Sequence, residues 1–280
     1  MTKYRTFLSY GPPGYGKTAF GVSSFWDFNK NEIVPVTDGR ILFVGREKND
    51  DLDIPEELVK RFPMNPAKPM AFATDLIKYL KVMIAKARKG EGPTSVVLDG
   101  LSELCYAFIW GAKQDDRAKT NQFWTWNEWQ EHFTAIMQML SPDVLGCDVF
   151  STARVGEFRE GGDNVKSDPE WMDTFRYHPA AQGWAKLNMG HYYNFIIHHE
   201  QGFDIEVRGK TKVKVPYVKT NWLPTGEYMV KNSMRHKWLK AGMPPSMKDV
   251  TWPQVKAALD AVDAGVPIKV VDGVPYPDIS

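Results

Sequence analysis

Residues 6–21, TFLSYGPPGYGKTAFG, constrain this chain more than any other stretch. An apolar run ends at Gly11. Gly11, Gly16, Lys17 and Thr18 then satisfy G-x-x-x-x-G-K-[ST], and a helical pattern follows. A strand that turns through glycines into a helix aims successive backbone N–H groups at one spot, beside a helix N-terminus that favours anions. The spacing predicts a phosphate-binding loop formed by Gly11, Pro12, Pro13, Gly14, Tyr15, Gly16, Lys17, Thr18 and Ala19. In it Lys17 reaches the β- and γ-phosphates of a nucleotide, and the Thr18 hydroxyl ligates Mg²⁺.

Such a loop needs a second acid near the metal. SVVLDG (95–100) supplies Asp99 at the carboxyl end of an apolar strand, where open α/β sheets bind ligands. Thr18 and Asp99 are therefore the expected metal pair. A residue must also activate water. Gly100 directly follows Asp99, so the candidates are Glu103, one helical turn on, and Glu47, which follows ILFVGR at the end of another strand. Strand ends converge on one sheet edge, which favours Glu47 as general base. The expected catalytic set is Glu47, Lys17 and Asp99.

Strand-like runs alternate with helical patterns along the chain. YRTFLSY, RILFVG, TSVVLDG, CDVFSTA and YYNFIIHHE read as strands; residues 17–28, 74–88 and 126–140 read as helices between them, with Thr74 as an N-cap. Strands separated by helices imply parallel crossovers, hence an α/β fold with a mainly parallel, doubly wound sheet. After residue 200 the pattern becomes short, alternating, antiparallel strands. From GMPPSM at 242 it reads as linker, helix and tail. The expected organisation is residues 1–240 as one nucleotide-binding domain and 241–280 as a C-terminal helix and tail. A hydrophobic content of 43% supplies a sizeable core. Cys105 and Cys147 make no metal spacing and read as reduced thiols. No apolar run has membrane-spanning length and MTKYRTFLSY lacks a signal-peptide core, so a cytoplasmic protein without membrane contact is expected.

These motifs together resemble the RecA-like P-loop ATPases. ILFVGRE resembles the strand that carries their catalytic glutamate, here Glu47. VVLDGLSEL resembles their metal-binding strand. DVFSTAR resembles the next strand, whose polar end senses the γ-phosphate; that maps a sensor role onto Ser151, Thr152 or Arg154. AQGWAKLNMGHYYNFIIHH resembles the segment leading into the fifth strand. The likeness covers about residues 4–240 and is closest to phage-encoded RecA-like ATPases of single-strand annealing and recombination. It implies ATP and Mg²⁺ as cofactors, a homo-oligomer, single-stranded DNA as partner and the cytoplasm of a bacterial host. Ring-forming relatives present a cationic finger to the neighbouring subunit's nucleotide. The nearest pattern here is Lys231 and Arg235 in KNSMR.

Charge is unevenly spread. Residues 205–240 hold nine Lys/Arg against two acids, a local +7 that leaves the rest of this +1 chain at about −6. In VRGKTKVKV, Arg208, Lys210, Lys212 and Lys214 fall two residues apart, so an extended segment would project all four from one face. That suits a nucleic-acid backbone; lysines keeping an exposed edge strand soluble give the same pattern. Trp126, Trp129, Phe133, Ile136, Met137 and Leu140 form a helical stripe, read as core or subunit interface. His198-His199 lacks companion ligands and reads as polar strand-end residues. The 155–185 segment carries six acids against three basic residues, with Trp171, Phe175 and Tyr177, and suits a protein partner. The alternative function is thus an ATP-dependent oligomeric switch or motor acting on a protein. A small-molecule kinase is disfavoured by the lack of an Arg-rich lid.

Overall fold

The computed structural model describes residues 4–27, 32–33, 40–44, 54–63, 71–114, 116–157, 177–181, 183–224 and 227–278. Strand β1 (Thr6–Gly11) leads through the glycine loop into α1 (Lys17–Val22). A small ribbon of β2 (Trp26–Asp27) and β3 (Glu32–Ile33) precedes β4 (Arg40–Val44) and β5 (Val59–Phe62). Then come α2 (Ala71–Ala87), β6 (Ser95–Asp99), α3 (Leu101–Lys113), α4 (Asp116–Thr120), α5 (Gln122–Met139) and α6 (Pro142–Leu145). They are followed by β7 (Asp148–Glu157), β8 (Tyr177–Pro179), α7 (Gly183–Tyr192), β9 (Phe195–Arg208) and β10 (Thr211–Asn221). The remaining elements are β11 (Lys231–Asn232), α8 (Arg235–Lys240), β12 (Ser246–Lys248), α9 (Trp252–Ala264), β13 (Ile268–Val271) and β14 (Val274–Pro277).

The main sheet runs β12-β10-β9-β1-β7-β6-β4-β5. Strands β9, β1, β7, β6, β4 and β5 are mutually parallel; β10, β11 and β12 add antiparallel pairing on one side, and β8 pairs antiparallel with β7. The chain is therefore α/β with a mostly parallel mixed sheet. Both faces are covered. Leu8, Tyr10, Val96 and Leu98 face a core shared with α2, α3, α5 and α7. Phe7, Val97, Phe150 and Phe195 face a second core shared with α1, α8 and α9. A strand covered on both faces has no need to alternate polar with apolar, and β6 accordingly runs Val96-Val97-Leu98 without a break. On α2, Phe72, Leu76, Leu80 and Met83 make the buried stripe. This helix starts at Ala71, so Thr74 lies inside its first turns and does not cap it.

The second face corrects the expected organisation. Phe7, Phe150 and Phe195 sit opposite one another on adjacent strands and stack with centroids 5.1 and 5.0 Å apart. Trp252, the first residue of α9, caps this ladder edge-on, 4.7 Å from Phe7, and its backbone N–H donates to Ser23 Oγ at 2.7 Å. Met243, Met247 and Val250 are buried in the same core. Residues 241–264 therefore complete the sheet's covering and are not a linker to an appendage. The helix itself is locally specified: Thr251 and Gln254 form a capping box, and Gly265 closes it in a left-handed conformation. The expected tail is an antiparallel hairpin of β13 and β14. Among the described residues no helix is long and apolar enough to cross a membrane.

Because Trp252 is buried on an aromatic ladder, Trp252→Ala should lower the unfolding free energy by about 3–5 kcal/mol. Urea denaturation of the full chain measures this; a loss below about 1 kcal/mol would mean that α9 is only loosely docked.

Candidate functional site

The carboxyl ends of the parallel strands assemble the predicted loop and its acid. Strand β7 lies between β1 and β6, with Gly11 opposite Arg154 and Leu98 opposite Ser151. One residue beyond the Leu98–Ser151 pair the polar groups meet. Thr18 Oγ1, at the second position of α1, donates to Asp99 Oδ2 at 2.8 Å. Thr152 Oγ1, midway along β7, donates to the other oxygen, Asp99 Oδ1. One carboxylate is thus clamped by hydroxyls from two elements. Lys17 Nζ donates back across the loop to the Pro12 carbonyl at 2.7 Å, so its ammonium lies within the arc of Gly11–Gly16. Gly14 and Gly16 take φ of 80° and 69°, a backbone that makes an anion-binding concavity. Gly11 admits no side chain: a Cβ there would lie 2.2 Å from the His199 carbonyl oxygen of β9. Pro13, Gly14 and Ala19 are exposed, while Pro12, Tyr15, Lys17 and Thr18 are half-buried.

The three sensor candidates separate. Thr152 reaches Asp99. Ser151, one residue earlier, points to the opposite face and is buried in the sheet. Arg154 pairs with Glu103, Nε to Oε1 at 2.6 Å, and its side chain is half-exposed at the loop. Glu103 is thereby committed to an ion pair beside Gly100. Glu47 lies outside the described residues; β4, which leads toward it, runs alongside β6 with Phe43 opposite Asp99. The chain at Arg154 is further fixed by Ser102, whose Oγ accepts from Arg154 N at 3.0 Å and donates to the Ala180 carbonyl at 2.6 Å.

On the other side of the loop stands a polar cluster around His198 and Glu200. His198 lies opposite Tyr10 on β9 and stacks on Tyr228 with centroids 3.7 Å apart. Asn221 Nδ2 lies 3.3 Å from His198 Nδ1 and donates to Glu200 Oε1 at 2.9 Å, and Lys219 Nζ reaches the same oxygen at 2.8 Å. Burial pushes Glu200 upward, but the hydrogen bonds from Asn221 and Lys219 outweigh it and hold the carboxyl below its ordinary value. Burial, then the nearby charges of Glu200 among others, pushes Tyr228 up to about 12. His198 and His199 are buried rather than strand-end polar residues. Burial, reinforced by the Lys17 charge, lowers them to about 4 and about 3. Polar residues in a strand flanked by partners on both sides were the available signal.

Two other groups of expected residues move. The cations of 208–214 do not share a face. Gly209 and Lys210 form the turn between β9 and β10, with φ of 65° at Gly209. A glycine with positive φ at the first central position makes a two-residue hairpin. The segment doubles back, so Arg208 pairs with Glu206 on one face while Lys212 and Lys214 lie on the other, opposite Val207 and Ile205. Lys231 is not free to act as a finger. It is half-buried and donates to the Gly190 and Tyr193 carbonyls at the end of α7. Arg235 is exposed at the start of α8, at the amino end of β9, away from this chain's own glycine loop. In the tryptophan stripe, Trp129, Phe133, Ile136, Met137 and Leu140 are core and Trp126 is exposed. Trp171 and Phe175 lie outside the described residues; Tyr177 stacks on Tyr228.

The donor set fits a magnesium nucleotide: a hydroxyl and a carboxylate that already meet, a primary ammonium within the loop, and a glycine backbone that concentrates N–H groups. No triad of His, Cys, Asp or Glu with metal-ligating geometry occurs among the described residues. Phosphate-bound Mg²⁺ needs none, because phosphate and water complete its shell. No protein-family model matches the chain, and no curated protein matches its sequence.

The two histidines make a testable electrostatic statement. Their folded-state values lie below the ordinary 6.5, so the unfolded chain takes up protons that the native chain refuses between pH 6.5 and about 4 for His198, or about 3 for His199. Their stability contribution is complete above pH 6.5 and falls with acidification, by up to about 1.4 kcal/mol per pH unit for each imidazole. His199→Leu should flatten the stability slope between about pH 6 and about pH 5 by that amount. An unchanged slope in denaturant titrations would contradict the assignment.

Proposed function

We propose that this chain is a RecA-like P-loop ATPase that binds MgATP, hydrolyses it, and couples the cycle to single-stranded DNA in recombination or annealing of the phage type. The observation that carries the reading is the meeting of Thr18 and Thr152 on the Asp99 carboxylate, with 2.8 Å between Thr18 Oγ1 and Asp99 Oδ2. A glycine turn with a chance Lys-Thr has no reason to place its threonine on a strand-end aspartate 81 residues away in sequence. A P-loop threonine and a strand-end aspartate are the protein groups that hold nucleotide-bound Mg²⁺.

Each residue then has a distinct task. Loop N–H groups and Lys17 bind the phosphates. Thr18 offers a hydroxyl oxygen to the metal, and Asp99 orients that hydroxyl. Mg²⁺ held by Thr18 and Asp99 would supply positive charge to offset the charge that develops on the phosphate oxygens. Thr152 ties the middle of β7 to this acid, and Arg154, at the loop and partly exposed, suits a sensor of the terminal phosphate. Glu47 positions water and accepts its proton; Glu103, held by Arg154, is the weaker base. Assembly as a homo-oligomer would bring Arg235, the exposed member of the finger pair, toward a neighbour. A protein-directed switch draws its support from the six acids against three basic residues in 155–185.

Phosphate release from MgATP by the full chain tests the reading. Lys17→Ala should lose on the order of 10²-fold or more in turnover while remaining folded. Glu47→Gln should keep ATP binding and lose hydrolysis, whereas Glu103→Gln should lose much less. Unchanged turnover in Lys17→Ala would end the ATPase reading.

A further inference from the structure

We infer that one face of the β9–β10 ribbon, carrying Phe203, Ile205, Val207, Lys212 and Lys214, is the surface that takes single-stranded nucleic acid. The inference rests on the proposed single-stranded DNA partner and assigns it a place.

The ribbon leaves the sheet. Strand β9 pairs with β1 only as far as His198, and β10 pairs with β12 only over Lys219–Asn221. From Gln201 and Val218 outward the two strands pair with each other alone. Their two faces differ. One carries Asp204, Glu206 and Arg208 with Val213, Val215 and Tyr217. Its acids are neutralised there, Glu206 by Arg208 at 2.9 Å and Asp204 by Lys248. Its Val213, Val215 and Tyr217 are half-buried. The other face carries three large apolar side chains in open solvent, Phe203, Ile205 and Val207, exposed by 51, 65 and 68%. Exposed apolar groups side by side mark contact surfaces.

Charge selects the partner. This face holds no acid, and neither Lys212 nor Lys214 has a carboxylate partner among the described residues. Lys214 Nζ lies 5.6 Å from the Phe203 ring centroid, so cation and ring are already side by side. Two unneutralised ammonium groups beside an aromatic ring suit an anionic polymer with flat apolar rings. Phosphates meet the lysines and an unstacked base lies on the ring. Duplex DNA offers no free base face. A two-fold pairing of this face with a second copy would set lysines against lysines.

Position links the surface to the nucleotide. At the ribbon's base, Tyr15 OH lies 3.5 Å from Gln201 Oε1, and the Val218 methyls lie 3.5 Å from where a Gly16 Cβ would stand. A strand held on this face therefore lies on an element that touches the phosphate loop.

Anisotropy of fluorescein-labelled oligothymidylate with the full chain, at about 50 and about 200 mM salt, tests the inference. Lys212→Ser/Lys214→Ser should weaken binding and reduce the salt slope by about 1.4, about 0.7 for each lost phosphate contact. Phe203→Ala should weaken binding about 5- to 150-fold with the slope unchanged. Arg208→Ser, on the neutralised face, should change neither. Equal losses from Arg208→Ser and the double lysine variant would overturn the inference, as would competition by duplex DNA as effective as by the single strand. A fluorescent ATP analogue is titrated in parallel. ATP binding without oligothymidylate binding sinks this inference and leaves the ATPase reading standing. The predicted oligothymidylate pattern without ATP binding does the reverse. If oligothymidylate does not bind and the chain sediments as a dimer that Phe203→Asp splits, the face belongs to a second copy and the inference fails.

Discussion

A strand buried on both faces has no room for a carboxylate except at its end, because an unpaired charge in the interior costs several kcal/mol. Strand β6 obeys this rule: Val96, Val97 and Leu98 are fully buried, and Asp99 comes at its carboxyl terminus. The parallel sheet then does the assembly. Strands β1, β7 and β6 point the same way, so the ends of β1 and β6 meet the middle of β7 at one edge. There Gly11 opens the glycine loop, and Thr152 and Thr18 close on Asp99 from two sides. The Phe150-Phe7-Phe195 ladder, capped by Trp252, locks β7, β1 and β9 beneath that edge. Aromatic pairs of this kind contribute about 0.5–1.5 kcal/mol each beyond the area they bury. The site's geometry thus depends on packing several residues below it.

The loop is bordered by unlike surroundings. Toward β6 lie hydroxyls, a carboxylate and the Glu103–Arg154 pair, all suited to a metal and a phosphate. Toward β9 lie neutral buried imidazoles, then Glu200 held by Asn221 and Lys219, then the ribbon. Keeping both histidines uncharged avoids setting cations beside Lys17 in a poorly hydrated place. The ribbon continues β9 without a break, so a load on its outer face acts on the strand whose His199 carbonyl abuts Gly11.

Much of this was legible because its signals are local. The glycine spacing before Lys17 and Thr18, the acid after SVVL, and the helix caps at Thr251, Gln254 and Gly265 each act over a few residues. Parity was not legible. In STAR, either Ser151 or the pair Thr152 and Arg154 can face the site, and only the register against β1 and β6 selects the pair. The error over 208–214 has a different origin: the two-residue spacing of cations suggests one strand, while Gly209 turns the chain and inverts the faces. That turn signal was present in the sequence. Lys231 shows the opposite limit, since nothing local reveals that its ammonium caps the end of α7. The covering role of residues 241–264 was hidden because its partners, Phe7, Phe20 and Phe150, lie more than a hundred residues away.

The central claim is that Lys17, Thr18 and Asp99 form a magnesium-nucleotide site. A crystal structure of the full chain with Mg²⁺ and a non-hydrolysable ATP analogue tests it most directly. The expected structure has the metal on Thr18 Oγ1, with Asp99 beside it, and Lys17 Nζ moved from the Pro12 carbonyl to a phosphate oxygen. Lys17 still bonded to Pro12, with the analogue elsewhere on the molecule or not bound at all, would contradict it.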